Sequence, residues 1–147
     1  MAEIKRISEN DIETVATLES EIFSDSWSAK SIKETYDNKS ALILGAYQNE
    51  ELIGYVIFYY VLDEGEIARI AVSPSHRRQG VAEQIFAGLL EFCEENNIER
   101  ILLDVRISNE PAISFYRKSG FADDGIRKNF YENPKEHALL MSADVSR

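Results

Sequence analysis

The hydrophobic period of this chain changes once between Glu66 and Cys93, and that change constrains the fold more than any other feature. Glu66–Ser73 reads as a strand that Pro74 stops. From Val81 the apolar residues Val81, Ile85, Phe86, Leu89, Leu90 and Cys93 fall at helical spacing. Between strand and helix lies a loop with Arg77, Arg78 and Gly80. The first turn of a helix leaves backbone N–H groups without intrahelical partners, and the helix dipole makes that end positive. A glycine at this point lets a ligand approach the backbone closely, so the unit suits a pyrophosphate. Arg77 and Arg78 either add charge to that site or are solvated loop residues. The loop matches neither a Walker A sequence nor a dinucleotide glycine fingerprint.

The rest of the chain alternates between the same two periods. Asn10 or Asp11 caps a first helix whose Ile12, Val15, Ala16, Leu18, Ile22 and Phe23 share a face. A second helix starts at Ser28, with Ile32 and Tyr36 one turn apart. Ala41–Gln48 and Glu51–Leu62 are strands joined by the turn Asn49-Glu50, and Ile98–Ile107 is a buried strand. Ser108-Asn109 opens a further helix with Pro111 in its first turn, and Gly120 terminates it after Ser119. Two last strands, Phe121–Tyr131 and His137–Val145, flank the turn Glu132-Asn133-Pro134. This order predicts an α/β fold around a mixed sheet. With 147 residues and no repeat or linker, residues 1–147 are expected to form a single domain.

Charge narrows the function. The chain carries 16 basic and 26 acidic residues, a net charge of −10, where a nucleic-acid binder needs a basic surplus. No nucleic-acid partner is expected. The acidic surface either steers cationic substrates or serves solubility alone. One cysteine excludes an intramolecular disulfide, and no Cys/His cluster has metal-site spacing. No apolar run reaches the roughly 18 residues of a membrane span, and the N-terminus has no signal-peptide core. The expectation is a cytoplasmic protein without a membrane partner.

Read as Arg-x-x-Gly-x-Ala (Arg77, Gly80, Ala82), the loop resembles the acyl-CoA pyrophosphate loop of GNAT N-acetyltransferases. A second block agrees: Leu103-Asp104-Val105-Arg106-Ile107-Ser108-Asn109, then Ala112-Ile113, Phe115-Tyr116 and Gly120-Phe121. Within that superfamily the chain resembles the bacterial ribosomal-protein-alanine N-acetyltransferases, the RimI type. Trp27-Ser28, Ile70-Ala71-Val72, the Arg-Arg-Gln-Gly loop and Arg127-Lys128-Asn129-Phe130-Tyr131 carry this resemblance over nearly the whole chain. Ser26 stands where that family commonly has proline, Ala82 where glycine is frequent, and Asp104 where better-known members have glutamate. The resemblance implies the GNAT acyl-CoA N-acyltransferase fold, with a central sheet of about six to seven strands flanked by helices. It also implies acetyl-CoA as co-substrate, without a metal. Main-chain groups of Ile70, Ala71 and Val72 would meet the pantetheine, and Arg77, Arg78, Gln79, Gly80, Val81, Ala82 and Glu83 the pyrophosphate. Asn109 would cap its helix and touch the cofactor. The implied acceptor is a protein N-terminal α-amine, specifically the N-terminal alanine of ribosomal small-subunit protein eighteen, met by a monomer or weak dimer. A lysine, a polyamine or a small amine is the alternative acceptor, and a non-catalytic acetyl-CoA-binding module is the other reading.

Transfer of an acyl group from a thioester to an amine requires a base, an oxyanion site and an acid for the departing thiolate. The family position gives Tyr116 the acid's role, and a phenol keeps its proton at neutral pH. Asp104 lies on a strand whose Ile101, Leu103, Val105 and Ile107 form the opposite face, so its carboxylate faces solvent, a partner or a cleft. It is the first candidate for the base, with an ion pair to Arg106 as the structural alternative. Glu66 is the second candidate, on one strand face with Ala68, Ile70 and Val72. Trp27, Phe130 and Tyr131 are expected to line the acceptor groove, with core packing as the alternative for Trp27. Cys93 belongs to an apolar helix face and reads as a core residue. His76 and His137 have no companion at metal-ligand spacing.

Overall fold

The computed structural model describes residues 2–145. In chain order the elements are β1 (Glu3–Arg6), α1 (Ile12–Ile22), α2 (Ala29–Asp37), β2 (Ala41–Gln48), β3 (Glu51–Val61), β4 (Glu64–Val72), α3 (Val81–Glu95), β5 (Arg100–Arg106), α4 (Glu110–Lys118), β6 (Ala122–Tyr131) and β7 (Glu136–Asp144). Short 3-10 turns precede α1 and follow β4. The seven strands form one sheet in the order β1-β2-β3-β4-β5-β7-β6, in which only β4 and β5 run parallel. This is the mixed α/β architecture expected from the hydrophobic periods.

Three details depart from expectation. Strand β1 has a single apolar residue within it, Ile4, and no alternation, so periodicity gives no sign of it; it forms by pairing with β2 at the sheet edge. Its charged, mostly exposed side chains suit an edge, where they discourage pairing with another chain. The strand expected over Ile98–Ile107 ends at Arg106, and Ile107 is exposed. A bulge at Ala68 is the third. Phe58 pairs with Ile67 and Ile57 with Arg69, leaving Ala68 as the extra residue.

That bulge reverses the alternation of side chains along β4. Ile67, Ile70 and Val72 pack on the face covered by α3 and α4, whereas Ala68 and Ala71 pack on the face covered by α1 and α2. Glu66, opposite Tyr59, therefore lies on the α1/α2 face, not with Ile70 and Val72 as strict alternation predicts. The sheet separates two apolar clusters. Helix α3 contributes Val81, Ile85, Phe86, Leu89 and Cys93 to the larger one, each of the larger side chains adding about 1.5–3 kcal/mol relative to exposure. Cys93 is buried there, and burial pushes its thiol up to about 12, as befits a packing residue.

The parallel pair is what opens a site. β4 and β5 pair from Glu64↔Arg100 to Ile67↔Leu103 and no further, although both strands continue. Past the bulge they splay, while β5 stays bonded to β7 from Arg100 to Arg106. The sheet is thereby split at the C-terminal ends of its two parallel strands.

Candidate active site

A groove of about 910 Å³ occupies the split and reaches both faces of the sheet. On the α3/α4 face it is lined by Ile70, Val72, Arg77, Arg78, Gly80, Val81, Ala82, Glu83, Asn109, Ala112, Phe115 and Tyr116. On the α1/α2 face it is lined by Phe23, Asp25, Ala68, Arg69, Asp104, Arg106 and Tyr131.

The first end is built as an anion cradle. Gly80 is the N-cap of α3 in the left-handed region (φ 78°), a backbone conformation that β-branched residues rarely adopt. Nothing lies within 4 Å of the place a β-carbon would occupy, so the space before the helix is open. No side chain caps this helix. By contrast the Ser28 hydroxyl accepts from Ser31 N–H (3.1 Å) at α2, and Asn109 Oδ1 from Ala112 N–H (3.3 Å) at α4. The first backbone bond of α3 runs from Gln84 N–H to Gly80 O (3.1 Å), which leaves the N–H groups of Val81, Ala82 and Glu83 to a ligand. Arg77 also braces the loop, donating from Nε to Val72 O at 3.2 Å. Gln79, included from sequence, does not line the groove. Asn109 does, besides capping α4.

Tyr116 lines the groove from α4, 5% exposed, with Phe115 and Phe121 edge-on at 5.5 Å. Burial pushes its hydroxyl well above the ordinary phenol range, with the nearby Tyr131 adding to the effect. Asp104 reaches the groove from β5, on the face opposite Leu103 and Val105. Tyr131 O–H points to Asp104 Oδ1 at 3.4 Å. Burial first, then the Asp104 charge, raises the Tyr131 hydroxyl above its usual range. The ion pair of Asp104 with Arg106, one alternative from sequence, does not form. Arg106 Nη1 instead donates to Glu136 Oε1 (3.1 Å) and Pro134 O (2.9 Å), and Nη2 to Glu132 O (2.9 Å). Asp104 is thereby left facing the groove.

Glu66 does not line the groove, although it shares the Asp104 face. Partial burial raises its carboxyl above the ordinary glutamate range; the Asp104 charge adds to this and Arg127 opposes it. Among the three residues expected in the acceptor region, only Tyr131 lines the groove. Trp27 lines a separate recess between α2 and β3, beside Tyr59. Phe130 is 41% exposed and lies under the Arg127 guanidinium. His76 lines the groove bonded to Ser75 (3.1 Å), while His137 Nδ1 accepts from Asn129 N–H (3.0 Å).

Sequence reasoning missed Phe23, Asp25 and Arg69, and Glu19, which accepts from Arg69. Arg69 Nε donates to Glu19 Oε1 at 3.3 Å, and Arg69 Nη2 donates to Asp25 O at 2.7 Å. The signals were two charges at apolar positions: Arg69 within Ala68–Val72, and Glu19 one turn after Val15 on the buried face of α1.

Comparison with known proteins agrees with this geometry. The model of the acetyltransferase (GNAT) family matches residues 12–121. A Bacillus subtilis protein, provisionally named a ribosomal protein bS18-alanine N-acetyltransferase, is 35% identical over 99% of this chain and 97% of its own length. The Escherichia coli ribosomal protein bS18-alanine N-acetyltransferase is 28% identical over 99% of both chains. A crystal structure of the Escherichia coli enzyme superposes with a TM-score of 0.91, covering 100% of this chain and 96% of that one.

Proposed function

The chain belongs to the acetyltransferase (GNAT) family, and from that premise we propose that it acetylates a protein N-terminal α-amine, the N-terminal alanine of ribosomal small-subunit protein eighteen first among them. The observation that carries this reading is the split between β4 and β5, through which an anion cradle on one face meets Asp104 and Tyr131 on the other. The relatives named for this activity match over almost their full length, which supports the finer choice of acceptor. The reading places the protein in the cytoplasm; among the described residues no helix is long and apolar enough to cross a membrane.

The residues present fit acetyl-CoA. The open, uncapped start of α3 with Arg77 and Arg78 matches a pyrophosphate. The divergent end of β4 offers main-chain groups of Ile70, Ala71 and Val72 that β5 does not use, suited to pantetheine amides. When bound, acetyl-CoA supplies the activated acetyl group as a thioester. Asp104 accepts the proton of the incoming ammonium, directly or through a water, because an amine attacks only when its lone pair is free. Tyr116 returns a proton to the leaving sulfur; its raised titration keeps that proton in place through neutral pH. Tyr131 orients Asp104 by pointing its hydroxyl at Oδ1.

An α-amine gives up its proton more readily than a lysine. At pH 7 roughly one α-amine in seven is neutral, against about one lysine in 2,500. The test is acetylation of Ala-starting peptides, lysine peptides and spermidine, read by mass spectrometry. Modification of the peptide α-amine ahead of the other two is the expected result. Faster turnover of spermidine would move the acceptor to polyamines.

A further inference from the structure

Glu19 is 0% exposed, the only charged side chain among the described residues that is fully buried, and the acetyl-transfer chemistry does not use it. Its Oε1 accepts from Trp27 N–H (2.9 Å) and from Arg69 Nε (3.3 Å), and its Oε2 from the Tyr55 hydroxyl (2.7 Å). Burial, with the Glu19 charge beside it, raises the Tyr55 hydroxyl above its usual range. The bulge at Ala68 turns Arg69 toward α1. From there its Nη2 donates to Asp25 O (2.7 Å) and Asp25 Oδ1 (3.0 Å), and its guanidinium stacks on Phe23 at 4.0 Å.

One buried ion pair therefore holds both ends of the connection between α1 and α2: Phe23 and Asp25 through Arg69, and Trp27 through Glu19. Phe23, Asp25 and Arg69 all line the groove on the face that carries Asp104. A buried ion pair is a poor way to stabilise a fold, because apolar residues of similar volume serve as well or better. It is a good way to fix a polar connection at one distance from a sheet, since the planar guanidinium bonds in a set geometry that lysine lacks. We propose that Arg69, anchored by Glu19, is a positioning residue that sets the acceptor wall of the groove. The inference rests on the acetyl-transfer reading for its kinetic arm only.

Trp27 is the single tryptophan of the chain, so its fluorescence reports on this connection without any turnover. The test combines steady-state kinetics on an Ala-starting peptide with acrylamide quenching of Trp27 in Arg69→Gln and Arg69→Lys. Arg69→Gln is expected to raise the peptide KM about ten-fold while kcat and the acetyl-CoA KM stay within about two-fold. Trp27 quenching rises in the same variant. Arg69→Lys keeps a charge for Glu19 and restores Tm, but not the peptide KM, because it lacks the fork that reaches Asp25. A folded Arg69→Gln with unchanged KM and unchanged quenching would overturn the proposal, and so would full recovery of KM in Arg69→Lys. Should Arg69→Gln fail to fold, Arg69→Lys decides in the same peptide assay: a raised peptide KM at retained Tm supports the proposal, and a wild-type KM overturns it. If wild-type protein turned over no peptide, the α-amine reading would fall and the quenching arm would still judge the clamp.

Discussion

The two ends of the groove are made in opposite ways. The proposed anion cradle is local: strand, loop and helix follow one another from Ile70 to Glu83, and its backbone donors stand beside Arg77 and Arg78. The proposed acceptor end is assembled from distant pieces. Arg69 reaches 44 and 50 residues back to Asp25 and Glu19, and Arg106 reaches 26 to 30 residues ahead to the β6–β7 turn. In each case an arginine from a central strand takes hold of one connection at the groove edge. Backbone donors fix a phosphate whatever the neighbouring side chains are, whereas side-chain clamps are free to change and so to set which acceptor fits. One end is generic and the other is particular.

The largest expected effect lies at the generic end. Gly80→Val puts a branched side chain at φ 78° and into the open space before α3. Losing two charge-assisted hydrogen bonds, each worth about 1.5–3 kcal/mol, weakens acetyl-CoA binding by roughly 10²–10⁴-fold. Calorimetry on the folded variant checks this, and unchanged affinity would dissolve the distinction between the two ends. Next comes Tyr116→Phe, which keeps the ring and its packing but removes the proton. A kcat loss of roughly 10²-fold with little change in acetyl-CoA affinity is expected. Because the Tyr116 hydroxyl titrates above the ordinary phenol range, the wild-type rate should show no falling limb from this group below pH ~10.

Smaller effects sharpen the acceptor end. Asp104→Asn should slow kcat/KM about ten-fold near pH 6, where most α-amines are charged, and recover much of the rate above pH ~8. Glu66→Gln should cost less than about two-fold at any pH, since Glu66 stands outside the groove. Were Glu66 the base, the rising limb would sit above the ordinary glutamate range, because its carboxyl is raised and a base must be ionised to act. Paired pH–rate profiles distinguish the carboxylates. The Asp104 charge is one cause of that rise, so the Glu66 midpoint should fall in Asp104→Asn, a shift NMR titration can follow.

The same contrast explains what could be read from the sequence. Apart from β1, the element order and the loop Arg77–Glu83 were legible because period, stop signals and glycine placement are properties of neighbouring residues. Asn109 was legible twice over, as a cap and as a groove residue. The bulge at Ala68 was not, since a bulge changes no composition; it is set by how β3 and β4 register. It put Glu66 on the opposite face from Ile70 and Val72 and aimed Arg69 at Glu19. Trp27 and Phe130 were expected at the groove as aromatic residues near family motifs; the α1–α2 connection carries Trp27 into a separate recess, and Phe130, next to last in β6, lies exposed under Arg127. Arg106 looked like a partner for Asp104 at the two-residue spacing of a strand. The β6–β7 turn offered it two carbonyls and Glu136 instead, and Asp104 kept its place in the groove.

Under the proposed function, cofactor and acceptor meet through one split in the sheet, and a bisubstrate ligand decides whether they do. Coenzyme A joined through an acetyl bridge to the α-nitrogen of an Ala-starting peptide occupies both ends at once. Calorimetry should find it at least about 10²-fold tighter than coenzyme A or peptide alone, the gain expected when the second contact becomes intramolecular. Gly80→Val and Arg69→Gln should each remove part of that gain. A bisubstrate that bound no tighter than coenzyme A, and equally well to both variants, would show that the acceptor does not enter this groove.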